Sequence, residues 1–513
     1  MKVRRKGIML MASSLILAVT LAGCGSNEAA PSETGKQSPS ESGKAAATTD
    51  AQLDPVTLKI MFPGDPPADW SEVKSEMENR LADSLNVKLN VVFIPWADVL
   101  QKRQVALSSA EDYDLIWDNN PTQNIAAGLY EPLDDLIEKV GPEIKSNRSP
   151  QLMEANKVNG KLYAVPLEVN FIRPWTFVIR KDIREKLGID PIKSYDDLIQ
   201  FMYAVKEKAP EVTPYIPNGT EHIGLKLAGM LDPNANLTAV LNYPGLYTKG
   251  NDGKVYNIFD DMDPMIMKNI EQNHKLYKDG IFAKDALTLR NGEFTKGKAA
   301  VTTFFDFGVN LGTRTGLEKS VPGATAEAFS LYDTSMKLSS TYKAGNHIAV
   351  PVVSKNKERA IQFINWLNQK DNYDLLAYGI KGKNWEDAGE GLYKPSIENP
   401  YGGIPFAWGW NPALDRIDAT LPEDVIELNK WERDPNNFTT DILSGFTFDP
   451  SPVSNEVAQL SNAGKEYYDP IVLGLVEPTE GLVKFKDIAY ENVKKIQTEY
   501  QKQLDAFLAG KKK

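Results

Sequence analysis

From Val56 the chain reads Val-Thr-Leu-Lys-Ile-Met-Phe, and this period-two alternation predicts a strand with Val56, Leu58, Ile60 and Phe62 on one face. Apolar residues then recur at Val73, Met77, Leu81 and Leu85, a helical stripe. Asp69 followed by Glu72 predicts a capping box ahead of it. Val87, Leu89, Val91 and Phe93 alternate as a second strand, Val99–Leu107 fits a short helix, and Asp114–Trp117 a third strand. The order β-α-β-α-β predicts a parallel sheet with right-handed crossovers. Ligands of such sheets sit beyond the carboxyl ends of the strands. Here those ends carry Pro63–Trp70, Pro95-Trp96 and Asp118-Asn119-Asn120.

The alternation of elements continues. Lys161–Pro166 and Thr176–Ile179 read as strands, Ser194–Ala209 as a helix, Val212–Ile216 and Ala299–Phe305 as further strands, and Lys357–Gln369 as an amphipathic helix. Near the end, Ala489, Val493, Ile496, Tyr500, Leu504 and Phe507 recur at helical spacing, which predicts one long, one-faced helix over Ile488–Leu508. No solenoid period is present. The adjacent carboxylates Asp134-Asp135, Asp196-Asp197 and Asp260-Asp261 precede helical patterns and are expected at helix N-termini. Asn251-Asp252-Gly253-Lys254 lacks the spaced carboxylates of a calcium loop and reads as a hairpin turn.

The beginning of the chain has a different character. Met1–Lys6 is basic and Ile8–Ala22 carries no charge, the pattern of a secretory signal. It ends in Leu21-Ala22-Gly23-Cys24, which resembles the bacterial lipobox. That resemblance implies diacylation of Cys24 and attachment to the outer face of the cell membrane. Residues 25–52 lack Val, Ile, Leu, Met, Phe, Tyr and Trp, and are expected to form a flexible tether.

Composition narrows the chemistry. The 513 residues carry a formal net charge of −11, and the only basic cluster past the leader is Lys511–Lys513, so nucleic acid is not an expected partner. Cys24 is the only cysteine, which excludes an intrachain disulfide and a cysteine-based metal site. His222, His274 and His347 show no metal-ligand spacing, and no cofactor or metal is expected.

Several segments resemble the extracellular solute-binding proteins of carbohydrate ABC importers, the class of maltose-binding protein. These are Asn159–Pro166 with Ile179–Asp182, Phe294–Val301, and Val350–Asn356 followed by the helix Lys357–Leu367. Tyr378–Glu386, and Gly445–Pro450 through Asp505, are similar to a Gram-positive lipoprotein branch with an extra C-terminal domain. The resemblance implies an α/β fold of two lobes joined by crossing strands, with a ligand cleft between them, and no catalysis. It implies delivery of an oligosaccharide to membrane permease subunits by a monomeric receptor. The expected organisation is a signal peptide over 1–23, a tether over 24–53, and first-lobe segments at 54–168 and 294–348. Second-lobe segments are expected at 169–293 and 349–440, and a C-terminal domain at 441–513.

A sugar presents an apolar C–H face and a hydroxyl rim, so aromatic rings and polar side chains at loop ends are the candidates. They are Trp70, Trp96, Asp118, Asn119, Trp175, Asn218, Asp306, Trp385, Trp408 and Trp410. Each loop tryptophan either stacks on ligand or packs its loop, and each Asp or Asn either binds hydroxyls or caps a helix. Trp408 and Trp410 rank first because Gly402, Gly403 and Gly409 around them offer little core. Trp366, on the apolar face of its helix, is expected in the core. The alternatives are a surface glycoside hydrolase, for which no carboxylate pair stands out, and a receptor for peptides or a co-receptor for a membrane sensor.

Overall fold

A computed structural model describes residues 53–511, apart from 169–170, 173–174, 221–223, 234–235, 241–242, 290–291, 305–306, 333 and 404. The signal, Cys24 and almost all of the tether lie outside the described residues. The chain lays down β1 (Val56–Pro63), β2 (Val87–Ile94), β3 (Leu115–Asp118) and β4 (Ala164–Leu167), then crosses to β5 (Thr176–Arg180) and β6 (Thr213–Tyr215). A meander of β7 (Leu237–Ala239), β8 (Leu246–Lys249) and β9 (Val255–Asn257) follows, then β10 (Ala299–Phe304) and β11 (Ala326–Ser330). The return runs through β12 (Leu338–Ser340) to β13 (Asn346–Ala349).

The first sheet has the order β2-β1-β3-β13-β4, with β1 parallel to β2 and β3 as the βαβαβ pattern requires. The alternating residues Leu58, Ile60 and Phe62 are buried, and so are Val73, Met77 and Leu81 of the helix Trp70–Ser84 that covers them. The second sheet has the order β11-β5-β10-β6. Its β5 is antiparallel to both neighbours, and β10 runs parallel to β6.

Strand pairing reverses the expected lobes for most of the two return segments, although Asn346–Ile348 joins the first sheet as expected. Ala299–Phe304 and Ala326–Ser330 hydrogen-bond to β5, so they complete the second lobe. Asn346–Ala349 pairs with β3 and β4, and the helix Lys357–Leu367 packs Ala360, Ile361, Phe363 and Ile364 into the first core. A strand buried on both faces has no polar face to reveal which sheet it joins.

A third core gathers Leu246, Tyr247, Phe485, Val493, Ile496 and Leu504 between the β7–β9 meander and the helix Pro478–Lys511. That helix begins ten residues before the predicted start; its first turns lack the one-faced stripe, and Val483 there is exposed. Asp252-Gly253 turns the β8–β9 hairpin, with Gly253 at φ +79°. Among the described residues no helix is long and apolar enough to cross a membrane.

The predicted cap at Asp69 does not form. Its carboxylate accepts a hydrogen bond from Asn384 Nδ2 at 2.7 Å and pairs with Lys383 at 3.3 Å, and Glu72 is drawn to Lys383 as well. Asp134 and Asp135, and Asp196 and Asp197, do lie in first helical turns. Asp260 instead accepts from Tyr490 at 3.0 Å and pairs with Lys494 at 2.9 Å, and Asp263 caps the helix Pro264–Lys278.

Candidate ligand-binding site

Register fixes which strand ends meet. His347 of β13 lies opposite Asp118 of β3, and Asn346 opposite Leu167 of β4, so the start of β13 shares an edge with the carboxyl ends of β3 and β4. In the second sheet Thr176 lies opposite Phe304 and Ser330, the ends of β10 and β11. The crossings β4→β5 and β11→β13 therefore leave and enter at these ends. The loops beyond them make up one wall on each lobe.

On the first wall Trp96, just past β2, is 56% exposed, an unusual position for an indole. It is nevertheless held on three sides. Its ring stacks on Phe406 with centroids 5.7 Å apart and planes at 24°, and it meets Trp117 edge-on at 5.5 Å. Behind it lies Gly64, at φ +95°, where an added Cβ would come within 3.1 Å of the indole nitrogen. Phe406 in turn meets Trp410 edge-on at 6.1 Å. Trp117 is buried, and its Nε1 donates to Asn346 Oδ1 at 3.0 Å. Phe406 belongs to a short turn, Pro405–Ala407, that carries no periodic signal in the sequence.

Trp410 is tied down from behind. The guanidinium of Arg148, buried and held down to about 10 by desolvation, donates to Trp410 O at 3.3 Å, Pro166 O at 3.0 Å and Asn368 Oδ1 at 2.7 Å. One side chain thus joins the end of β4, where the lobes connect, to the tryptophan loop.

Asp118 is not a hydroxyl-binding carboxylate. It is fully buried, accepting from Asn120 N at 2.9 Å, Asn124 Nδ2 at 2.8 Å and Tyr130 Oη at 2.8 Å, and it pairs with Arg103 at 3.1 Å. Burial and the neighbouring carboxylate push the Tyr130 hydroxyl well above its ordinary range. Asn119 is exposed beside Trp117, with Oδ1 accepting from Arg103 Nη1 at 3.3 Å. Behind this network His347 contacts Asn156 Oδ1 through Nε2 at 3.1 Å, and burial holds its imidazole down at about 4.

Trp70, Trp385 and Trp408 are core residues. Trp408 is 1% exposed and packs on Phe62, Trp70 and Phe363 at centroid distances of 5.1, 5.7 and 5.8 Å. The glycines around it point the other way from the sequence reading: a Cβ on Gly403 would fall 1.7 Å from Ala377 O. Gly403 thus lets the loop press onto the helix Lys370–Tyr378, beside the buried Trp408. Trp385 is buried against Tyr378, with Nε1 donating to Gly379 O at 3.0 Å. Trp366 is core, as its helical position implies.

On the second wall, Trp175 is buried at the start of β5, with Lys226 Nζ 5.0 Å from its ring centroid. Asn218, half-buried past β6, donates its backbone N–H to Thr303 Oγ1 of β10 at 3.2 Å. Asp306 lies outside the described residues. The structure thus brings Trp96, Asn119 and Trp410 together on one wall and Trp175 and Asn218 on the other. Phe406, Gly64 and Asn346 join the first wall without having been singled out in the sequence. The depression lined by Arg80, Leu85, Val140 and Trp366 among the first-lobe helices contains none of them.

Residues 78–380 match the family described as bacterial extracellular solute-binding protein. The chain belongs to this family. Residues 442–509 match a second family, a domain of unknown function, DUF3502. A relative in Streptococcus pneumoniae serotype 4, described as a carbohydrate ABC transporter substrate-binding protein, is 28% identical over 535 residues, covering 100% of both chains. Lipoprotein LipO of Bacillus subtilis is 23% identical, covering 72% of each chain. The crystal structure of the N-glycan transport solute-binding protein of S. pneumoniae superposes with a TM-score of 0.74 at 25% identity, over 89% of this chain and 100% of that one. The same protein in complex with Man1GlcNAc gives a TM-score of 0.72. A member of this family is a binding protein, which sets the hydrolase alternative aside.

Proposed function

We propose that this solute-binding protein captures an oligosaccharide between its lobes and hands it to an ABC importer, held to the outer face of the membrane by lipid on Cys24. The observation that carries the reading is Trp96: an indole more than half exposed, yet immobilised by Phe406, Trp117 and Gly64. A rigid, exposed indole face is the kind of plate that a sugar's C–H face covers. Asn119 and Asn346 beside it, and Asn218 opposite, offer neutral donors and acceptors for hydroxyls. The pneumococcal relatives, described as carrying carbohydrate and N-glycan, support the same ligand class, and the lipoprotein relative supports the anchor.

In this reading a ligand held between two lobes favours the closed state by its differential affinity alone. Moving the equilibrium from 1:99 to 99:1 takes about 5.5 kcal/mol of preference for the closed form. The permease then reads closure. Thermal unfolding against panels of N-glycan fragments, plant oligosaccharides, monosaccharides and peptides tests the proposal. A ligand at about 100 times its Kd adds about 2.7 kcal/mol of stability. Stabilisation by a glycan series is the expected result; stabilisation by peptides alone would overturn the ligand class.

A further inference from the structure

The second wall of the cleft is backed by the C-terminal domain through a polar ladder on the helix Pro264–Lys278. Asn269 and Asn273, one turn apart and both buried, face the same way. Asn269 Nδ2 donates to Gly224 O at 3.2 Å, and Asn273 Nδ2 donates to Val472 O at 2.9 Å. The loop after Val472 lies so close to this helix that a Cβ on Gly474 would fall 2.4 Å from the Asn273 backbone, and His274 Nδ1 meets Gly474 O at 2.8 Å. Val472 also packs close to Gly224: a Cβ there would sit 3.2 Å from Val472 Cγ1 and 3.2 Å from Thr220 O.

Gly224 precedes the short helix Leu225–Leu231, whose side chains divide between two cores. Leu227 joins the second-lobe core, which also contains Val472 and Leu473, while Leu225 and Ala228 join the C-terminal core. The same helix holds Lys226 over Trp175, and Gly224 N donates back to Thr220 O at 3.1 Å, two residues from Asn218. Residues 442–509 supply Val472 but none of the wall's own side chains.

We propose that the C-terminal domain is a buttress for the ligand cleft, with Asn269 and Val472 as positioning residues that fix Gly224–Leu231 and, through it, the Trp175 and Asn218 wall. The proposal rests on the reading of the cleft as the ligand site. Buried side-chain amides give one geometry for this loop, and losing a partner leaves a desolvated carbonyl behind. The domain therefore acts on affinity without touching ligand.

The test is amide hydrogen exchange on the full chain, comparing Asn269→Ala and Val472→Ala with Leu504→Ala. The last is a cavity in the domain that also contains Val472, near the far end of the helix Pro478–Lys511. The expected result is exchange over Gly224–Leu231 about tenfold faster in the first two variants, with β1–β3 unchanged and Leu504→Ala without this local effect. Equal acceleration in Leu504→Ala would reduce the effect to general stability and overturn the proposal, as would no acceleration in the first two. If Asn269→Ala does not fold, Val472→Ala carries the test from the other side of Gly224. With a glycan ligand in hand, Kd should rise about tenfold in the same two variants, a 1.4 kcal/mol loss, and not in Leu504→Ala. A wild-type chain that binds no glycan would sink the carbohydrate reading while the exchange result still decides the buttress.

Discussion

Trp96 and Phe406 lie 310 positions apart in sequence and stack with ring centroids 5.7 Å apart at 24°. One comes from the loop after β2 and the other from a short turn far along the return of the chain. Their stacking makes a surface from residues that are unremarkable separately.

Trp96→Ala should weaken glycan binding at least about tenfold while costing little stability, because the ring is already mostly in water and exposed positions usually move stability by about 0.5 kcal/mol. Calorimetric titration and thermal unfolding of the same sample separate the two quantities. A large fall in Tm with unchanged affinity would reverse the assignment.

Trp408→Ala should do the opposite. The ring fills the centre of the first core among Phe62, Trp70 and Phe363, so its removal should cost about 3–5 kcal/mol by urea denaturation. Trp410→Ala, two residues on, should cost less stability and more affinity, since its half-buried ring edges the array through Phe406.

These contrasts mark what the sequence could and could not disclose. Period-two and helical spacing located the βαβαβ unit, the Lys357 helix and the long final helix, because one-sided burial writes its period into the chain. Trp366 was legible for that reason. The loop tryptophans were not: Gly402, Gly403 and Gly409 look alike in sequence, yet a Cβ would meet open space at Gly402, Ala377 O at Gly403 and only ordinary contacts at Gly409. Asp118 ended a strand where ligands bind, but the Arg103, Asn124 and Tyr130 that enclose it lie on other elements. The lobe of Ala299–Phe304 depended on pairing with β5, which the local pattern does not encode.

Gly64→Ala should disturb the site without entering it. The backbone sits at φ +95°, and the new methyl would meet the Trp96 ring at 3.1 Å. A stability loss of about 1–2 kcal/mol and a shifted Trp96 emission are expected, with weakened binding. Unchanged emission and affinity would show that Gly64 does not set the indole's position.

Stability should also fall between pH 6.5 and about 4 through His347, whose buried imidazole is held down at about 4 in the folded chain. The unfolded chain takes up its proton near 6.5, so it binds more protons throughout that window and unfolding becomes easier as pH drops. The contribution is fully present above pH 6.5 and amounts to about 3 kcal/mol lost by pH 4. Urea denaturation of wild type and His347→Gln at pH 7, 5.5 and 4.5 should show a shallower slope in the variant. Equal slopes would remove His347 from the account.

The most direct test of the cleft reading is paired titration of wild type and Trp96→Ala with the glycan that stabilises the wild type most. Measurable binding by the wild type is expected, with at least about tenfold weaker binding by the variant and little change in unfolding temperature between the free proteins. Equal affinity in the two would contradict this reading, because the ligand would then be held without the rigid exposed indole of Trp96.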